Sequence, residues 1–471
     1  MKTTRLDLPV MASWMESNGR RLDCNPYLSG GFEARVLLDR LNAVKQPLKE
    51  VTQGGMKGIF NGPRFSRHYV NDPKHGVPFL GSTDILAADL SGLSMISKKQ
   101  VKAHPELLID EGWTLITCSG TIGRMVFSRA DMKGMTGSQH FMRIVADRTK
   151  IPPGYLYAYL SSRFGVSLII SGTYGSIIQH LEPNHIEDLP VPRLGDSIES
   201  QVHELVHKAA SNRVEASNLF EESVQDIIDH FQLEQPREYQ EYPHPSINIA
   251  NSSQVRQRMD AYYYADWNNN AEEQFNSVPK DRQACLGDVT EDLYIPGIFK
   301  RVYVDSRVYG YPYITGTDVF SLSPTSNRFL SKKVAEDFRL VLKKGMILVQ
   351  DSGQLGGLIG RPVPVGRYLD GFACTNNLVR ITPKSETDQG YIFAVLNTTY
   401  GIRLVVREAT GSSIPHLDEK RVKRIQIPWA DDETRILIGA KVLKAIEMRD
   451  EACDLESEAR SIVEFEIAGS T

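Results

Sequence analysis

Gly175-Ser176-Ile177-Ile178-Gln179-His180-Leu181 decides how this chain is read, because Gly411-Ser412-Ser413-Ile414-Pro415-His416-Leu417 restates it 236 positions later. The register holds beyond the repeat itself. Ile186-Glu187-Asp188-Leu189-Pro190-Val191-Pro192 aligns at the same offset with Val422-Lys423-Arg424-Ile425-Gln426-Ile427-Pro428. Each copy then enters a long stretch of helical period. Two separated blocks at one spacing identify a tandem duplication.

Upstream, further pairings extend the duplication. Arg21-Leu22-Asp23, followed by Tyr27, matches Arg258-Met259-Asp260, followed by Tyr262-Tyr263-Tyr264. Leu48-Lys49-Glu50-Val51-Thr52 matches Leu286-Gly287-Asp288-Val289-Thr290, and each precedes a Gly-Ile-Phe, at Gly58-Ile59-Phe60 and Gly297-Ile298-Phe299. Val77 to Ile85 and Tyr311 to Val319 are apolar, β-favouring runs that end in turn residues. Gly112 to Thr117 and Gly345 to Gln350 are strands closed by Ser-Gly turns, at Ser119-Gly120 and Ser352-Gly353. Gln139 to Ile144 and Asn376 to Ile381 begin polar and become strand-like, and Gly154 to Leu160 and Gly390 to Leu396 open short helices. Each copy is therefore a strand-rich α+β domain with a late helical part.

The segments after the repeats are helical. Ile198, Val202, Leu205, Ala209, Ala216, Phe220, Val224, Ile227 and Phe231 keep 4-3 spacing, as do Ile438, Val442, Ala445, Ala452, Leu455, Ala459 and Ile462. So narrow a seam over about 35 residues predicts coiled-coil packing of the two helices. Each would be roughly 50 Å long. The expected fold class is α+β: a strand-rich domain followed by a long helix, duplicated in tandem, with the two helices packed as an antiparallel coiled-coil spacer. The expected borders are an N-terminal segment 1–18, a first domain 19–195, a central helix 196–234, a linker 235–253, a second domain 254–430, a C-terminal helix 431–467 and a tail 468–471.

A chain of 471 residues, 41% hydrophobic and 24% charged, fits a folded soluble protein of two to four domains. No apolar run approaches the ~20 residues that cross a bilayer, and no signal-peptide core follows Met1. Cys24, Cys118, Cys285, Cys374 and Cys453 form no C-x-x-C pair, which points to a reducing cytoplasm. The net charge of −4 is unevenly divided. Residues 1–195 hold 23 Lys+Arg against 17 Asp+Glu, and residues 242–430 hold 23 against 19. Residues 196–241 hold 3 against 11, and residues 431–471 hold 5 against 11. Basic globular blocks thus alternate with acidic helical ones, which suits phosphate binding by the globular blocks alone.

Catalytic motifs are sparse. His203-Glu204-Leu205-Val206-His207 has the H-E-x-x-H spacing of zinc proteases, but it lies in the helical seam. The second copy replaces the two imidazoles with Gly439 and Leu443. Asn25-Pro26-Tyr27 is one proline short of the tetrapeptide of amino-methyltransferases. Ser119 and Ser352 lie in no G-x-S-x-G elbow, and the chain contains no P-loop. The chain reads as non-catalytic; a zinc hydrolase using His203, Glu204 and His207, or a duplicated scaffold without DNA, are the rival readings.

What remains are paired polar and basic loops of the kind that read base edges and phosphates. The first copy contributes Lys57, Arg64, Arg67, Ser119, Thr121, Arg124, Gln139, His140, Tyr174, Ser176, Gln179 and His180. The second contributes Lys300, Arg301, Arg307, Gln350, Ser352, Gln354, Asn376, Asn377, Thr410, Ser412, Ser413 and His416. A blander reading has the Gly-Ser-x-Ile-x-His-Leu loops merely capping the helix that follows.

With its two domains, each ending in Gly-Ser-x-Ile-x-His-Leu and an apolar segment closed by proline before a long helix, the chain resembles the specificity subunit of a type I restriction-modification enzyme. The resemblance spans roughly residues 19–467. It implies two target recognition domains, each reading half of a split, asymmetric duplex DNA target. It also implies spacer helices that set the gap and dock two modification (methyltransferase) subunits. S-adenosylmethionine, and ATP with Mg where restriction/translocase subunits join, would be bound by those partners, with no cofactor, metal or catalytic residue in this chain and no membrane association.

Overall fold

A computed structural model describes residues 11–17, 30–171, 180–255, 258–411 and 413–469. The chain divides into two compact units, Met1–Val214 with Glu451–Thr471, and Glu215–Asp450. The expected borders at 195 and 430 fall just before the two long helices, Asp196–His230 and Asp432–Gly469. The compact units divide within those helices, so each helix contributes residues to both.

In the first unit the strands are β1 (Lys45–Pro47), β2 (Ile59–Asn61), β3 (Tyr69–Val70), β4 (Gly76–Leu80), β5 (Met95–Ser97), β6 (Thr114–Thr117), β7 (Met125–Phe127), β8 (Thr136–Gly137), β9 (Phe141–Ile144) and β10 (Pro190–Pro192). They form sheets ordered β2-β9-β6-β7 and β3-β5-β4-β8, and the pair β1-β10. The second unit repeats all three arrangements. Its strands are β11 (Gln283–Cys285), β12 (Thr290–Tyr294), β13 (Tyr303–Val304), β14 (Gly310–Ile314), β15 (Phe329–Ser331), β16 (Ile347–Gln350), β17 (Pro362–Pro364), β18 (Ala373–Cys374), β19 (Leu378–Pro383) and β20 (Gln426–Pro428). Their order is β12-β19-β16-β17, β13-β15-β14-β18 and β11-β20. Identical strand order in both units, including the one parallel pairing in each, is the structural form of the duplication.

The pairings read from sequence hold residue by residue in most places. Leu48 and Lys49 donate to the carbonyls of Leu189 and Glu187, as Leu286 and Gly287 do to Ile425 and Lys423. Buried Tyr391 donates through its hydroxyl to the Pro428 carbonyl at 2.9 Å, and Tyr155 makes the same bond to Pro192. One pairing is corrected. Ile59 lies opposite Ile144, whereas Leu293, not Ile298, lies opposite the equivalent Ile381. Ile298 sits in a loop and is 90% exposed, against 2% for Ile59. Four fewer residues separate Thr290 from Leu293 than separate Thr52 from Ile59, so the two Gly-Ile-Phe triplets do not correspond.

The long helices run antiparallel to each other in both units. In the first, Leu205 and Ala209 pack with Ala452 and Leu455, and Lys208 pairs with Glu451. In the second, Ala216, Phe220 and Ile227 share a core with Ala445, Val442 and Ile438, and Lys441 reaches Asp226 at 2.8 Å. The buried face is wider than a coiled-coil seam. Val206 and Ala210 join the core built by the helix Pro153–Ser161, and Leu219 and Ile228 join that of Glu386–Asn397. Each helix is therefore paired with its partner and embedded in the domain beside it.

Within the first unit, Arg213 and Glu456 are both 3% exposed and form a direct ion pair. Burial pushes the Glu456 carboxyl up, and the adjoining Arg213 guanidinium more than reverses this, holding it below the usual range. Glu456 also faces Arg460 at 3.6 Å; removing it takes the carboxylate from a buried guanidinium, so Glu456→Ala should cost roughly 3–5 kcal/mol in thermal unfolding. Replacing both by Met and Leu should recover most of that loss. Because the folded value is depressed, the pair's contribution should be complete above the ordinary 4.5 and vanish as pH falls through the lower folded value.

Candidate nucleic-acid interface

In each unit a subset of the candidate residues gathers at one end of a four-stranded sheet, β2-β9-β6-β7 in the first and β12-β19-β16-β17 in the second. Antiparallel register brings the C-terminal ends of β2 and β6 beside the N-terminal end of β9. The His180-Leu181 segment closes against them: Leu181 donates to the Cys118 carbonyl at 3.1 Å, and Cys118 donates to that of His140 at 3.0 Å. The result is a cleft of about 490 Å³ lined by Asn61, Arg64, Ser119, Gln139, His140, His180 and Glu182, among others. Five of these seven are sequence-nominated residues. Three of their side chains are linked to one another and to Arg67 outside the lining: Arg67 Nη2 donates to Gln139 Oε1 at 2.7 Å, and His140 bonds Gln139 at 3.1 Å and Ser119 Oγ at 2.8 Å. Burial first, then the nearby Arg67, His180 and Arg64, hold the His140 imidazole below its ordinary value.

The second unit builds the same backbone junction with different chemistry. Leu417 donates to the Asp351 carbonyl, Asp351 to that of Asn377, and Ser352 bridges to His416 as Ser119 bridges to His180. Asp351 replaces Cys118. Its Oδ1 accepts from the Leu417 backbone at 3.0 Å, and its Oδ2 lies 3.2 Å from His416 Nδ1. Burial raises the Asp351 carboxyl, with His416 opposing. Cys118, by contrast, is a thiol pushed up to about 12 by burial.

Both junctions fold around a buried guanidinium. Arg143 is fully buried in β9 and donates to the carbonyls of Gly137 (2.8 Å), Ser138 and Phe141 (both 3.3 Å), with its plane 4.7 Å over the Phe141 ring. Burial pushes its pKa down to about 10. A Cβ on Gly137 would lie 2.6 Å from Arg143 Nη2 and 2.2 Å from the Phe141 ring, so only glycine fits there. Arg380, equally buried in β19, donates to the carbonyls of Cys374, Thr375 and Leu378 at 3.0–3.2 Å. Neither was nominated from sequence. The available signal was an arginine at matching places in two otherwise apolar strands.

The remaining nominated residues are dispersed. Lys57 is exposed on a 3-10 turn before β2, at the strand end away from Asn61. Thr121 and Arg124 lie on the β6–β7 turn, where their backbone carbonyls face the Thr117 hydroxyl; the cleft lining takes Ser119 instead. Arg301 occupies the place of Arg67 but donates to Tyr313 Oη at 3.0 Å. Gln350 is only 8% exposed, and its amide nitrogen donates to the Ser352 carbonyl at 2.9 Å. Ser352 is itself only 9% exposed. Lys300, Arg307, Gln354, Thr410, Ser413 and His416 are exposed, and Asn376 and Asn377 are half-buried. Tyr174, Ser176, Gln179 and Ser412 lie outside the described residues, as do Arg21 to Asp23 and Asn25-Pro26-Tyr27. The helix-capping alternative goes to the next residues along, because Glu182 and Asp418 cap the short turns that follow.

A second cleft, of about 530 Å³ in the second unit, is ringed by Arg258, Arg407, Arg421 and Arg424. Arg258 is bound by Asp260 at 2.6 Å and Arg407 by Glu272 at 2.8 Å, with Arg407 3.9 Å over the Tyr263 ring. Those two buried guanidiniums are neutralised internally, and they bridge the chain: Arg258 donates to the Ala409 carbonyl just past the helix Thr399–Arg407, and Arg407 to the Tyr263 carbonyl. His203, the first imidazole of the H-E-x-x-H, accepts the Gly154 N–H at its Nδ1, 3.1 Å away. That bond puts the neutral ring's proton on Nε2 and leaves no lone pair there for a metal. At the matching site of the second unit, Gly390 packs so tightly on Gly439 that a Cβ would meet its carbonyl at 2.4 Å. Among the described residues no group of three or more His, Cys, Asp and Glu could hold a metal ion, and no helix is long and apolar enough to cross a membrane.

No protein-family model and no curated protein matches the sequence. Solved structures do match. The S subunit of a type I restriction-modification system from M. genitalium is 12% identical, with 91% of this chain and 96% of that chain covered and a TM-score of 0.36. The HsdS subunit from Thermoanaerobacter tengcongensis is 13% identical, covering 91% and 97%, with a TM-score of 0.27. A chain from a structure of the assembly and conformational transition of the type I R-M system is 14% identical, covering 91% and 98%, with a TM-score of 0.29.

The His140 environment gives a direct check. In an NMR titration its imidazole should show a midpoint below 6.5. Arg67→Gln should raise that midpoint part of the way, since one of the opposing charges is gone.

Proposed function

We propose that this chain is a non-catalytic DNA-recognition subunit that reads a bipartite, asymmetric duplex target, one half with each unit. The observation that carries this reading is the pair of equivalent sheet-end junctions with one backbone and two chemistries. A duplicated scaffold with His140, Gln139 and Cys118 on one side and Asn377, Asn376 and Asp351 on the other suits two half-sites of different sequence. The acidic helical segments are poor surfaces for DNA and suit docking of methyltransferase subunits, two in number if the twofold design extends to them. Such partners would hold S-adenosylmethionine and methylate adenine, and ATP-driven restriction subunits could join them in phage defence. The reading places the protein in the cytoplasm.

Selection from a random duplex library, with the chain alone and with any methyltransferase that co-purifies, should return a split motif of fixed gap. Absence of enrichment with the partner present would favour a scaffold without DNA. Binding should weaken steeply with salt.

The two long helices act as the ruler in this proposal. Inserting one helical turn into each should widen the preferred gap between half-sites. The same selection, repeated on that variant, reads the gap directly; an unchanged gap rules the ruler out.

A further inference from the structure

The linked side chains in the first unit's cleft fix more than position, because one of them can only donate. A guanidinium has no acceptor. Arg67, whose guanidinium carbon lies 4.8 Å from the centre of the Phe79 ring, therefore faces the carbonyl oxygen of Gln139, at 2.7 Å. That turns the Gln139 NH₂ toward His140 Nε2, 3.1 Å away, which must then be the bare acceptor nitrogen of a neutral ring. The ring proton consequently sits on Nδ1 and is donated to Ser119 Oγ at 2.8 Å. With one lone pair of Ser119 Oγ occupied, its own hydrogen turns away from His140, and among the described residues no acceptor takes it. The environment that keeps His140 neutral supports this order.

We propose that the Arg67–Gln139–His140–Ser119 chain locks the Ser119 hydroxyl as a hydrogen-bond donor into the cleft, so that the first unit selects an acceptor-bearing base edge at the contacted position. In the major groove guanine, adenine and thymine each offer an acceptor, while cytosine presents only its amino donor. The position should therefore favour guanine, adenine or thymine over cytosine on the contacted strand by the worth of one hydrogen bond, since Ser119 Oγ keeps a second lone pair but its hydrogen finds no acceptor on cytosine. Gln139 and His140 are positioning residues here and Ser119 is the group that reads. The second unit has no counterpart, since Arg301 is turned to Tyr313 and asparagines replace Gln139 and His140.

The inference rests on the DNA-reading proposal, and one experiment separates them. Library selection is run on the full chain, with any co-purifying methyltransferase, for the unaltered protein, Ser119→Ala and Gln139→Glu. Ser119→Ala should lose about 3–10-fold of preference at one position of one half-site, in line with one hydrogen bond. The other half-site, unchanged, certifies folding. Gln139→Glu should do the opposite of a simple loss. A carboxylate accepts from both Arg67 and His140 Nε2–H, so Nδ1 becomes the acceptor, Ser119 donates inward, and its outward face turns acceptor. Preference at that position should then invert toward cytosine or the adenine amino group. This arm is run at pH 8.5, where His140 stays neutral although the introduced carboxylate, Glu182, Cys118, His180, Arg64 and Arg67 all face it. Rescue of the original preference at low pH, where a protonated ring donates from both nitrogens, would be a further mark of the relay. If the unaltered protein returns a split motif but Ser119→Ala changes no base preference, or Gln139→Glu keeps the original base at pH 8.5, the relay is wrong and DNA reading stands. If the unaltered protein enriches nothing, the functional reading itself falls.

Discussion

A buried guanidinium without a carboxylate is the constraint on which each unit's polar face depends. Taking Arg143 or Arg380 out of water is costly, and the cost is offset chiefly by carbonyls that converge on it. Those carbonyls run from the ends of β8 and β18 into the segments that lead to β9 and β19, which carry Gln139-His140 and Asn376-Asn377. The arginine thus sets the backbone of the segment whose outward side chains form the cleft. Aromatic rings in the first unit add a face for the cation, and the absent side chain of Gly137 makes room for it. Both copies keep this device while the residues around it differ.

Separation of a shared backbone from varied side chains runs through the rest of the molecule. Tyrosine hydroxyls reach the same proline carbonyls in both units, and the strand orders coincide. By contrast Cys118 gives way to Asp351, and His140 to Asn377, at points where the backbone bonds are unchanged. The junction therefore tolerates a thiol or a carboxylate behind it, provided the neighbouring segment supplies what each needs. Asp351 receives the Leu417 N–H and His416; Cys118, a weak donor held protonated by burial, lies 3.5 Å from the Gln139 carbonyl.

Much of this architecture was legible in the sequence, because an offset of 236 residues between matching blocks constrains many elements at once. The strands at Thr114–Thr117 and Ile347–Gln350 and the two long helices follow from period and turn chemistry alone. The Gly-Ile-Phe pairing failed because the insertion between Thr52 and Ile59 shifts the register locally, and a short triplet cannot reveal a shift. The helices bury more than a seam because each also serves its domain's core, a tertiary fact that period understates. Of the candidate site, the loops were legible and the side-chain destinations were not. Whether Gln350 faces solvent or holds Ser352, and whether Arg301 meets a ligand or Tyr313, is decided by neighbours that periodicity does not reveal. Arg143 and Arg380 were overlooked because an arginine in an isolated sequence reads as surface.

The division of the chain has a consequence for its birth. The second unit is one uninterrupted run, Glu215–Asp450, while the first borrows Glu451–Thr471. Ala459, Val463 and Ile467, all fully buried, pack into the core that contains Leu156 and Tyr157. A ribosome delivers the first unit's strands early and this last piece of its core some three hundred residues later. The domain begun first is therefore finished second, and a chain released before Glu451 would hold every residue of the second unit while still lacking the buried Ala459, Val463 and Ile467 of the first.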